Sequence, residues 1–412
     1  MTIDNLSRRQ FLRGVINVST SVIVGATLRG RPFFASDEIL ADGRPRSAAP
    51  TITPAWSSQN HNFRLYVGTY TSGKSEGIYT YYLHPNLGKL VRSNTFKSVN
   101  PSYLTIDQSR TYLYAVNEVG EYAGKPGGSV SAFAIDESNN LKSLNEEATH
   151  GADPCYVTVD SKRKNVLVAN YTGGSVTVLP IRADGSLGAA TDLKQHEGSG
   201  PKEQQKGPHA HCVILDRSER RAFVADLGID KIMIYEYDAA RGKLTPNKQP
   251  FAQLQAGAGP RHLTFDAKGK HLYAINELDS TLACFKYHES KGTLKHVETV
   301  STLPSGFTGV SYCADVHIHP NGKFLYGSNR GHNSIVVFRI QHGSGKLELV
   351  EHVSTQGDWP RNFAIDPYGR FLYVANQRSD NVVAFSIDSK SGRLKPTGDI
   401  EQIPSPVCLK FI

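Results

Sequence analysis

Two arginines and one glutamate stand in three short segments of this sequence: Arg261 in GPRH, Glu277 in INEL and Arg330 in SNRG. Guanidinium groups can hold a carboxylate, a phosphate or a developing oxyanion through paired N–H donors, and a carboxylate can take a proton from water. His209 and His211 in GPHAH add two imidazoles that can give a proton to a leaving oxygen. Two residues apart, they share one face if the strand is regular. These side chains predict acid–base chemistry on a carbonyl or anionic substrate.

The elements that must position these side chains follow from an internal repeat. A strand ending in Asp or His recurs six times, and a second strand ends ten residues later at Asn or Asp. The paired ends are Asp107 and Asn117, Asp160 and Asn170, Asp216 and Asp226, Asp266 and Asn276, His319 and Asn329, and Asp366 and Asn376. Because they occur in every copy, we interpret them as structural turn residues. A third strand rich in β-branched and aromatic residues and a fourth beginning at leucine complete each unit, which predicts a propeller blade.

Six complete units leave unpaired fragments at the two ends of the repeat. The segment 406–412 matches a first strand, and the segments that follow Arg64 supply a second, a third and a fourth. Joining them gives a seventh blade and removes exposed sheet edges. The predicted fold is therefore all-β: over residues 63–412, a seven-bladed β-propeller of four-stranded antiparallel blades, its ring closed by the N- and C-terminal strands.

Equivalent positions in successive blades form rings around the axis of a propeller. Five residues before each first-strand end, one ring reads Ser102, Cys155, His211, Arg261, Ala314, Arg361 and Val407. Directly after each second-strand end, another reads Glu118, Tyr171, Leu227, Glu277, Arg330, Gln377 and Tyr70. Taken singly, each charged residue could pair with a neighbouring blade, and each histidine could belong to the core. Taken together around one axis, they indicate a ligand site.

Two motif matches near the first strand conflict with this fold. Residues 68–75 match the phosphate-binding loop pattern, and residues 73–77 match the hydrolase pattern GxSxG. Both motifs need a helix directly afterwards, whereas GIYTYYL predicts a strand. We therefore expect neither a nucleotide site nor a serine nucleophile.

Metal and cysteine chemistry are also not expected. His209, His211, Asp226 and Asp230 could hold a divalent ion, but their spacing is not diagnostic, so we predict no metal and no cofactor. The five cysteines are widely spaced, without a CxxC pair, and we interpret them as buried small hydrophobic residues. They are Cys155, Cys212, Cys284, Cys313 and Cys408.

The N-terminal region predicts an export signal. Arg8 and Arg9 precede a mildly apolar stretch over 15–28 that is too short and too polar to span a bilayer stably. The segment resembles the twin-arginine motif, with Arg13 where that motif often has lysine. We predict a signal over 1–35, with Ala35 one candidate cleavage site, and a linker over 36–62. The expected location is the periplasm; a basic tail on a cytoplasmic protein is the alternative.

The charge of the chain limits its partners. The formal net charge is +8, and the first fifty residues alone contain seven arginines against four acidic residues. No run of Lys and Arg follows, so nucleic acid is not an expected partner, whereas a small anionic substrate is compatible. We also expect no membrane association after signal removal, and a monomer.

Several long segments carry a family resemblance. GPHAHCVILD, GPRHLTFDAKGKHLYAINELDSTLACF, HPNGKFLYGSNRGHNSIVVF and WPRNFAIDPYGRFLYVANQRSDNVVAF closely resemble the seven-bladed lactonase family. That family contains propeller-type bacterial 6-phosphogluconolactonases and fungal carboxy-muconate cyclising enzymes, and the likeness covers nearly all of 64–412. In the muconate-cyclising relatives a His, two Arg and a Glu are the proposed site. By motif, the resemblance places them at His209 or His211, Arg261, Glu277 and Arg330.

The resemblance implies hydrolysis of a sugar lactone, resembling the 6-phosphogluconolactonase reaction. The residues expected to be catalytic are His209, Arg261, Glu277 and Arg330, and those expected to bind substrate are His211, Arg361 and Glu118. A muconate-type cycloisomerase is the alternative enzyme, and a non-catalytic envelope propeller that binds carbohydrate or protein is the alternative from another class. Export conflicts with a phosphorylated substrate, because phosphogluconolactone is a cytoplasmic metabolite.

Overall fold

The computed structural model describes residues 63–84 and 86–412. The predicted export signal and nearly all of the predicted linker lie outside the described residues. The described part consists of seven four-stranded antiparallel sheets and one small hairpin, which confirms the predicted fold class. None of the residues described forms a helix with the length and hydrophobicity needed to cross a bilayer.

The strands follow one another in the order that the repeat predicts. The first three are β1 (Arg64–Thr69), β2 (Gly77–Leu83) and β3 (Leu90–Lys97). Blade 1 contains β4 (Leu104–Ile106), β5 (Tyr112–Asn117), the inserted hairpin β6 (Glu121–Tyr122) and β7 (Lys125–Pro126), β8 (Ser129–Ile135) and β9 (Leu141–Ala148). Blade 2 contains β10 (Pro154–Val159), β11 (Asn165–Asn170), β12 (Ser175–Pro180) and β13 (Asp192–Gln195). A short 3-10 helix (Glu203–Gln205) precedes blade 3.

The remaining blades repeat the pattern from the inner strand outward. Blade 3 contains β14 (Ala210–Leu215), β15 (Arg221–Asp226), β16 (Lys231–Asp238) and β17 (Lys243–Gln253). Blade 4 contains β18 (Pro260–Phe265), β19 (His271–Asn276), β20 (Thr281–His288) and β21 (Thr293–Ser301). Blade 5 contains β22 (Tyr312–Ile318), β23 (Phe324–Arg330), β24 (Ser334–Ile340) and β25 (Leu347–Ser354). Blade 6 contains β26 (Pro360–Ile365), β27 (Phe371–Asn376), β28 (Asn381–Ile387) and β29 (Leu394–Gln402).

Blade 7 is assembled from both ends of the described chain. The last strand, β30 (Pro406–Phe411), pairs antiparallel with β1, so the order in this sheet is β3-β2-β1-β30. Inner strands contact each other from blade to blade, including β26 with β30 and β30 with β4. The predicted closure is therefore confirmed, and the inner strands surround one channel.

Adjacent blades are held together by buried apolar side chains and by a recurring tyrosine. The second strands are almost entirely buried, because each blade packs on a neighbour at both faces. A tyrosine in the second strand of five blades donates its hydroxyl to a backbone carbonyl in an outer turn of the next blade. These bonds are Tyr66 to Asn139, Tyr114 to Gly185, Tyr273 to Gly345, Tyr326 to Gly392 and Tyr373 to Gly88.

The Asp or His residue that ends six of the inner strands closes a turn. Asp366 shows the arrangement: its Oδ1 accepts the backbone N–H groups of Arg370 and Phe371 at 2.5 and 2.6 Å. In blade 5 the ring nitrogen Nδ1 of His319 accepts the N–H of Asn321, as Oδ2 of Asp366 accepts that of Tyr368 in blade 6. These residues are turn residues, as predicted. The segment after residue 75 is strand β2, so the helix that both rejected motifs require is absent from this described segment.

Candidate active site

A repeated break in strand pairing aims one ring of side chains at the channel. The register of the inner strand shifts around Cys155, His211, Arg261 and Arg361, in blades 2, 3, 4 and 6. A β-bulge of this kind inserts one extra residue and changes the direction of its side chain. The residues of this ring therefore lie at the end of the channel where the inner strands begin, which we call the channel mouth.

The second ring is fixed at the same mouth through the backbone. The N–H of Glu277 donates to the carbonyl of Gly259 at 2.7 Å, and that of Glu118 donates to Asn100 at 3.0 Å. The same bond recurs at Tyr70, Tyr171, Leu227 and Gln377. In these six blades the residue that follows the second strand is thus held beside the start of its own inner strand. In blade 5, Arg330 is itself the last residue of β23 and pairs with Tyr312.

Glu277 lies between two arginines from adjacent blades, and these three residues form the Glu277 cluster. Its Oε2 is 2.9 Å from Nε of Arg261 and 2.7 Å from Nη2 of Arg330. The two arginine side chains are 2% and 4% exposed, whereas that of Glu277 is 15% exposed. The cluster carries two cations and one anion, so it is suited to an anionic group or a developing oxyanion.

Backbone carbonyls at the start of blade 5 hold both arginines in place. Nη1 of Arg261 donates to the carbonyl of Ala314, and Nη2 of Arg330 donates to that of Cys313 at 2.8 Å. Because the guanidinium plane is rigid, these bonds fix the direction of the remaining N–H groups.

A buried carboxylate lies next to this cluster, one step further into the channel. Asp315 is 2.7 Å from Nδ1 of His262 and 2.9 Å from Nε2 of His317, and it also accepts from Nδ2 of Asn362. Burial alone raises the pKa of Asp315, but the charge of His317 and these hydrogen bonds outweigh burial and hold the pKa well below its usual range. Asp315 is therefore a permanent anion behind the site.

His262 connects this anion to the Glu277 cluster. Its Nε2 is 3.3 Å from Nη1 of Arg261; because a guanidinium can only donate, Nε2 accepts and Nδ1 carries the proton that goes to Asp315. Burial, followed by the charge of Arg261, lowers the pKa of His262 to about 4. The imidazole is neutral at neutral pH. Beside His262 and Asp315, the channel contains a cavity of about 270 Å³ that is also lined by Tyr103 and Lys410.

His209 and His211 both contact the ring of Tyr171, and the three form the His209 cluster. The imidazole of His209 stacks on Tyr171 at 4.5 Å, and that of His211 meets its edge at 5.5 Å. Nδ1 of His209 donates to the carbonyl of Tyr171 at 3.0 Å, so Nε2 is the acceptor in the neutral ring. His211 is 1% exposed, whereas His209 is half-buried and more accessible.

The premise of a regular strand at these histidines was wrong. Strand β14 begins at Ala210, and its register shifts between Ala210 and Cys212, so His211 is the extra residue of a bulge. The alternation of faces does not apply there. Contact with Tyr171, rather than a shared strand face, brings His209 and His211 together.

Arg361 and Glu118 are joined through a residue from the blade between theirs. The hydroxyl of Tyr70 is 2.9 Å from both carboxylate oxygens of Glu118 and accepts from Nη2 of Arg361 at 2.7 Å. The guanidinium also lies over the Tyr70 ring at 5.2 Å. This Glu118 cluster spans blades 6, 7 and 1.

The residues considered for a metal, His209, His211, Asp226 and Asp230, do not converge on one point. Asp226 accepts from the backbone of His209 at 2.7 Å and from Nδ1 of His196 at 2.6 Å, and Asp230 accepts from Gln205 and from two glycine N–H groups. Within 63–84 and 86–412, no three His, Cys, Asp or Glu side chains form a cluster that could hold an ion.

The cysteines are free and buried, as the sequence predicts. Burial raises the pKa of the thiols of Cys212, Cys284 and Cys313 to about 12 and that of Cys408 to about 11. These four remain protonated thiols at neutral pH, so they are poor nucleophiles.

Comparison with known proteins shows the family of the chain. The family described as Lactonase, 7-bladed beta-propeller, matches residues 64–411. The chain belongs to this lactonase family. A relative named 6-phosphogluconolactonase from Bacillus subtilis is 39% identical over 350 residues, covering 84% of this chain and 97% of the relative. Another of that name from Formosa agariphila is 34% identical over 309 residues, covering 73% and 86%.

A solved structure also resembles this lactonase. The periplasmic gluconolactonase of Pseudomonas aeruginosa matches with a TM-score of 0.82 and 35% identity, covering 85% of this chain and 99% of that one. The matched regions contain all three clusters, because the family match begins at residue 64 and ends at residue 411.

Sequence reasoning about this lactonase missed three contributors to the site. Tyr70 appears in the predicted ring, but its link between Arg361 and Glu118 depends on closure of the propeller. His262 and Asp315 directly follow the residues of the bulge ring in blades 4 and 5. A signal was available there, because this His and Asp occupy adjacent inner strands at equivalent places.

Proposed function

We propose that the protein is a lactone hydrolase that opens a sugar lactone to the aldonate at the channel mouth. The observation that carries the proposal is the Glu277 cluster, in which one partly exposed carboxylate contacts two buried guanidinium groups. The names of the relatives, 6-phosphogluconolactonase and gluconolactonase, support the substrate class. A lactone is a cyclic ester, so its hydrolysis needs a water nucleophile, an oxyanion partner and a proton for the ring oxygen.

In the proposed reaction, Arg261 and Arg330 bind the carbonyl oxygen and stabilise the negative charge that develops on it. Glu277 takes a proton from the water molecule whose oxygen attacks the carbonyl carbon. The bond from this carbon to the ring oxygen then breaks, and the imidazole of His209 passes a proton to the departing alkoxide. Transfer of the proton on Glu277 to His209 through solvent restores both groups. The products are the aldonate and one proton, which the new carboxylic acid releases to solvent.

The Glu118 cluster is proposed to bind substrate hydroxyl groups. Arg361 offers N–H donors and Glu118 offers carboxylate acceptors, and Tyr70 holds the two groups together. A polyhydroxylated ring can use both kinds of partner. His211 is buried and contacts the ring of Tyr171. We propose that it contributes to substrate binding indirectly, by supporting that ring and His209.

We further propose that the protein acts in the periplasm after twin-arginine export. The paired arginines of the N-terminal region support this location, and so does the likeness to a protein named periplasmic gluconolactonase. An unphosphorylated lactone suits that compartment better than a phosphorylated one. Fractionation of cells that express the full chain tests the location, with a protein found only in the cytoplasm as the contrary result.

Hydrolysis is tested with the purified full-length protein in a pH-stat. Glucono-δ-lactone is expected to release acid faster than in buffer alone, with saturation at high substrate, and the 6-phosphorylated lactone is compared in parallel. Release at the buffer rate with both substrates contradicts the proposal. A change in ultraviolet absorbance with muconates instead of lactones would favour the cycloisomerase.

A further inference from the structure

Trp359 occupies the place in blade 6 that His209 occupies in blade 3. Each residue directly precedes the inner strand of its blade. The carbonyl of Trp359 accepts the N–H of Gln377 at 3.0 Å, as that of His209 accepts the N–H of Leu227 at 2.9 Å. By this equivalence, Trp359 lies at the channel mouth.

The backbone of Trp359 adopts a conformation that is unusual for a large residue. Its φ is 68°, in the left-handed region. The equivalent residues Asn100, Asp153, Gly259 and Ser405 have φ of 42°, 52°, 64° and 44°, whereas His209 does not adopt this conformation. Glycine and short polar residues tolerate this region, whereas a bulky side chain there is an outlier. Strain of this kind is concentrated at ligand-binding positions. The indole therefore calls for a functional explanation.

The neighbours of the indole include a member of the Glu277 cluster. The guanidinium of Arg330 lies over the ring at 5.4 Å from its centroid, and the ring of Tyr312 is 6.2 Å away. The exposed Arg378 covers one face at 3.4 Å. These contacts place the indole beside the Glu277 cluster.

We propose that Trp359 is a specificity-determining residue that contacts the substrate of the proposed lactonase. Its indole is an apolar wall for the C–H face of a six-membered aldonolactone ring while the carbonyl oxygen meets Arg261 and Arg330. Aromatic walls with a few fixed polar groups are the usual composition of small-molecule sites. This inference rests on the proposed function for the identity of the ring, and on the contacts of Trp359 for its position.

Binding can be followed without catalysis, because the chain contains only two tryptophans, Trp56 and Trp359. In the full-length Trp56→Phe variant, the remaining tryptophan emission comes from Trp359. Titration with D-gluconate, the product of the proposed reaction, is expected to change this emission saturably. The double variant Trp56→Phe/Trp359→Phe gives the background signal.

Kinetics test the specificity role. Trp359→Asn installs the residue that blade 1 uses at the equivalent place, so the backbone conformation is retained. We expect KM for glucono-δ-lactone to rise roughly ten- to thirtyfold, with kcat within about threefold of wild type and little change in melting temperature. The control is Tyr368→Asn, which removes an exposed aromatic residue that also contacts an arginine, from the turn at the other end of β26. Its KM is expected to equal that of wild type.

The outcomes separate this inference from the proposed function. If the protein hydrolyses lactones and Trp359→Asn has wild-type KM, the inference is wrong and the function stands. If no lactone is hydrolysed but gluconate changes the emission of Trp359, the ligand contact stands and the function is wrong. A large fall in melting temperature of Trp359→Asn, together with emission that gluconate does not change, shows a structural role and overturns the inference.

Discussion

The substitution Glu277→Gln removes one negative charge and leaves the shape of the side chain nearly unchanged. In the native cluster, the carboxylate is 2.9 Å from Arg261 and 2.7 Å from Arg330. At these distances each pair has a Coulomb energy of about 6 kcal/mol for an effective dielectric constant of about 20. Both guanidiniums are almost completely buried, so water cannot replace the lost partner. Removal of one member of a buried ion pair typically costs about 3–5 kcal/mol of unfolding free energy.

Glu277→Gln is also expected to lower kcat in the molecules that remain folded. A glutamine cannot take a proton from water, so kcat is expected to fall by roughly 10²–10⁴. The measurements are acid release from glucono-δ-lactone in a pH-stat and urea unfolding of the same preparation. Glu277→Asp keeps the charge but shortens the side chain, so it should recover most of the stability and little of the activity.

A matched variant in the Glu118 cluster separates the effect of position from the effect of losing a charge. Glu118→Gln makes the same chemical change at the same mouth, beside Tyr70 rather than beside two buried arginines. It is expected to raise KM and to leave kcat within about tenfold of wild type. Wild-type kcat in Glu277→Gln, or an equal loss of kcat in both variants, would refute the assignment of Glu277 as the base.

Three further results are expected. The pKa of His262 lies at about 4, below the ordinary 6.5 of the unfolded chain, so the unfolded state binds a proton first as the pH falls. Urea unfolding should therefore show a loss of about 3 kcal/mol in the free energy of unfolding between pH 6.5 and pH 4. The loss should be smaller in His262→Gln. Tyr70→Phe removes the hydroxyl that links the Glu118 cluster, and steady-state kinetics should show KM higher by roughly tenfold with kcat little changed. A Cβ at Gly228 would lie 1.9 Å from the carbonyl of Gly207 and 2.8 Å from the backbone nitrogen of His209, so Gly228→Ala should displace that loop and lower kcat, whereas an unchanged kcat would count against His209.

The repeat in the sequence was sufficient to predict the blades and their closure. Strand ends ten residues apart fix the pairing of the first two strands, and the unmatched segment 406–412 can only complete the fragment that begins at Arg64. The level of Arg261, Glu277 and Arg330 along the axis follows from the same register. Their direct contact is therefore a consequence of repetition, which explains why it could be anticipated.

The details that depend on departures from regular pairing could not be predicted. The bulge at His211 invalidates the alternation argument, because one extra residue reverses the side-chain direction. The link through Tyr70 joins residues nearly three hundred positions apart in the chain, as from Tyr70 to Arg361. The left-handed backbone of Trp359 is visible only as a dihedral angle, although the residue types at equivalent places gave a hint.

The union of β1 with β30 links the folding of blade 7 to the Glu118 cluster. Because β30 leaves the ribosome after all the other described strands, blade 7 lacks its innermost strand until then, and Tyr70 has no firm support between Arg361 and Glu118. A chain without β30 can stack its earlier blades, but its Glu118 cluster is incomplete. The proposed sugar-binding cluster therefore forms only when β30 has paired with β1.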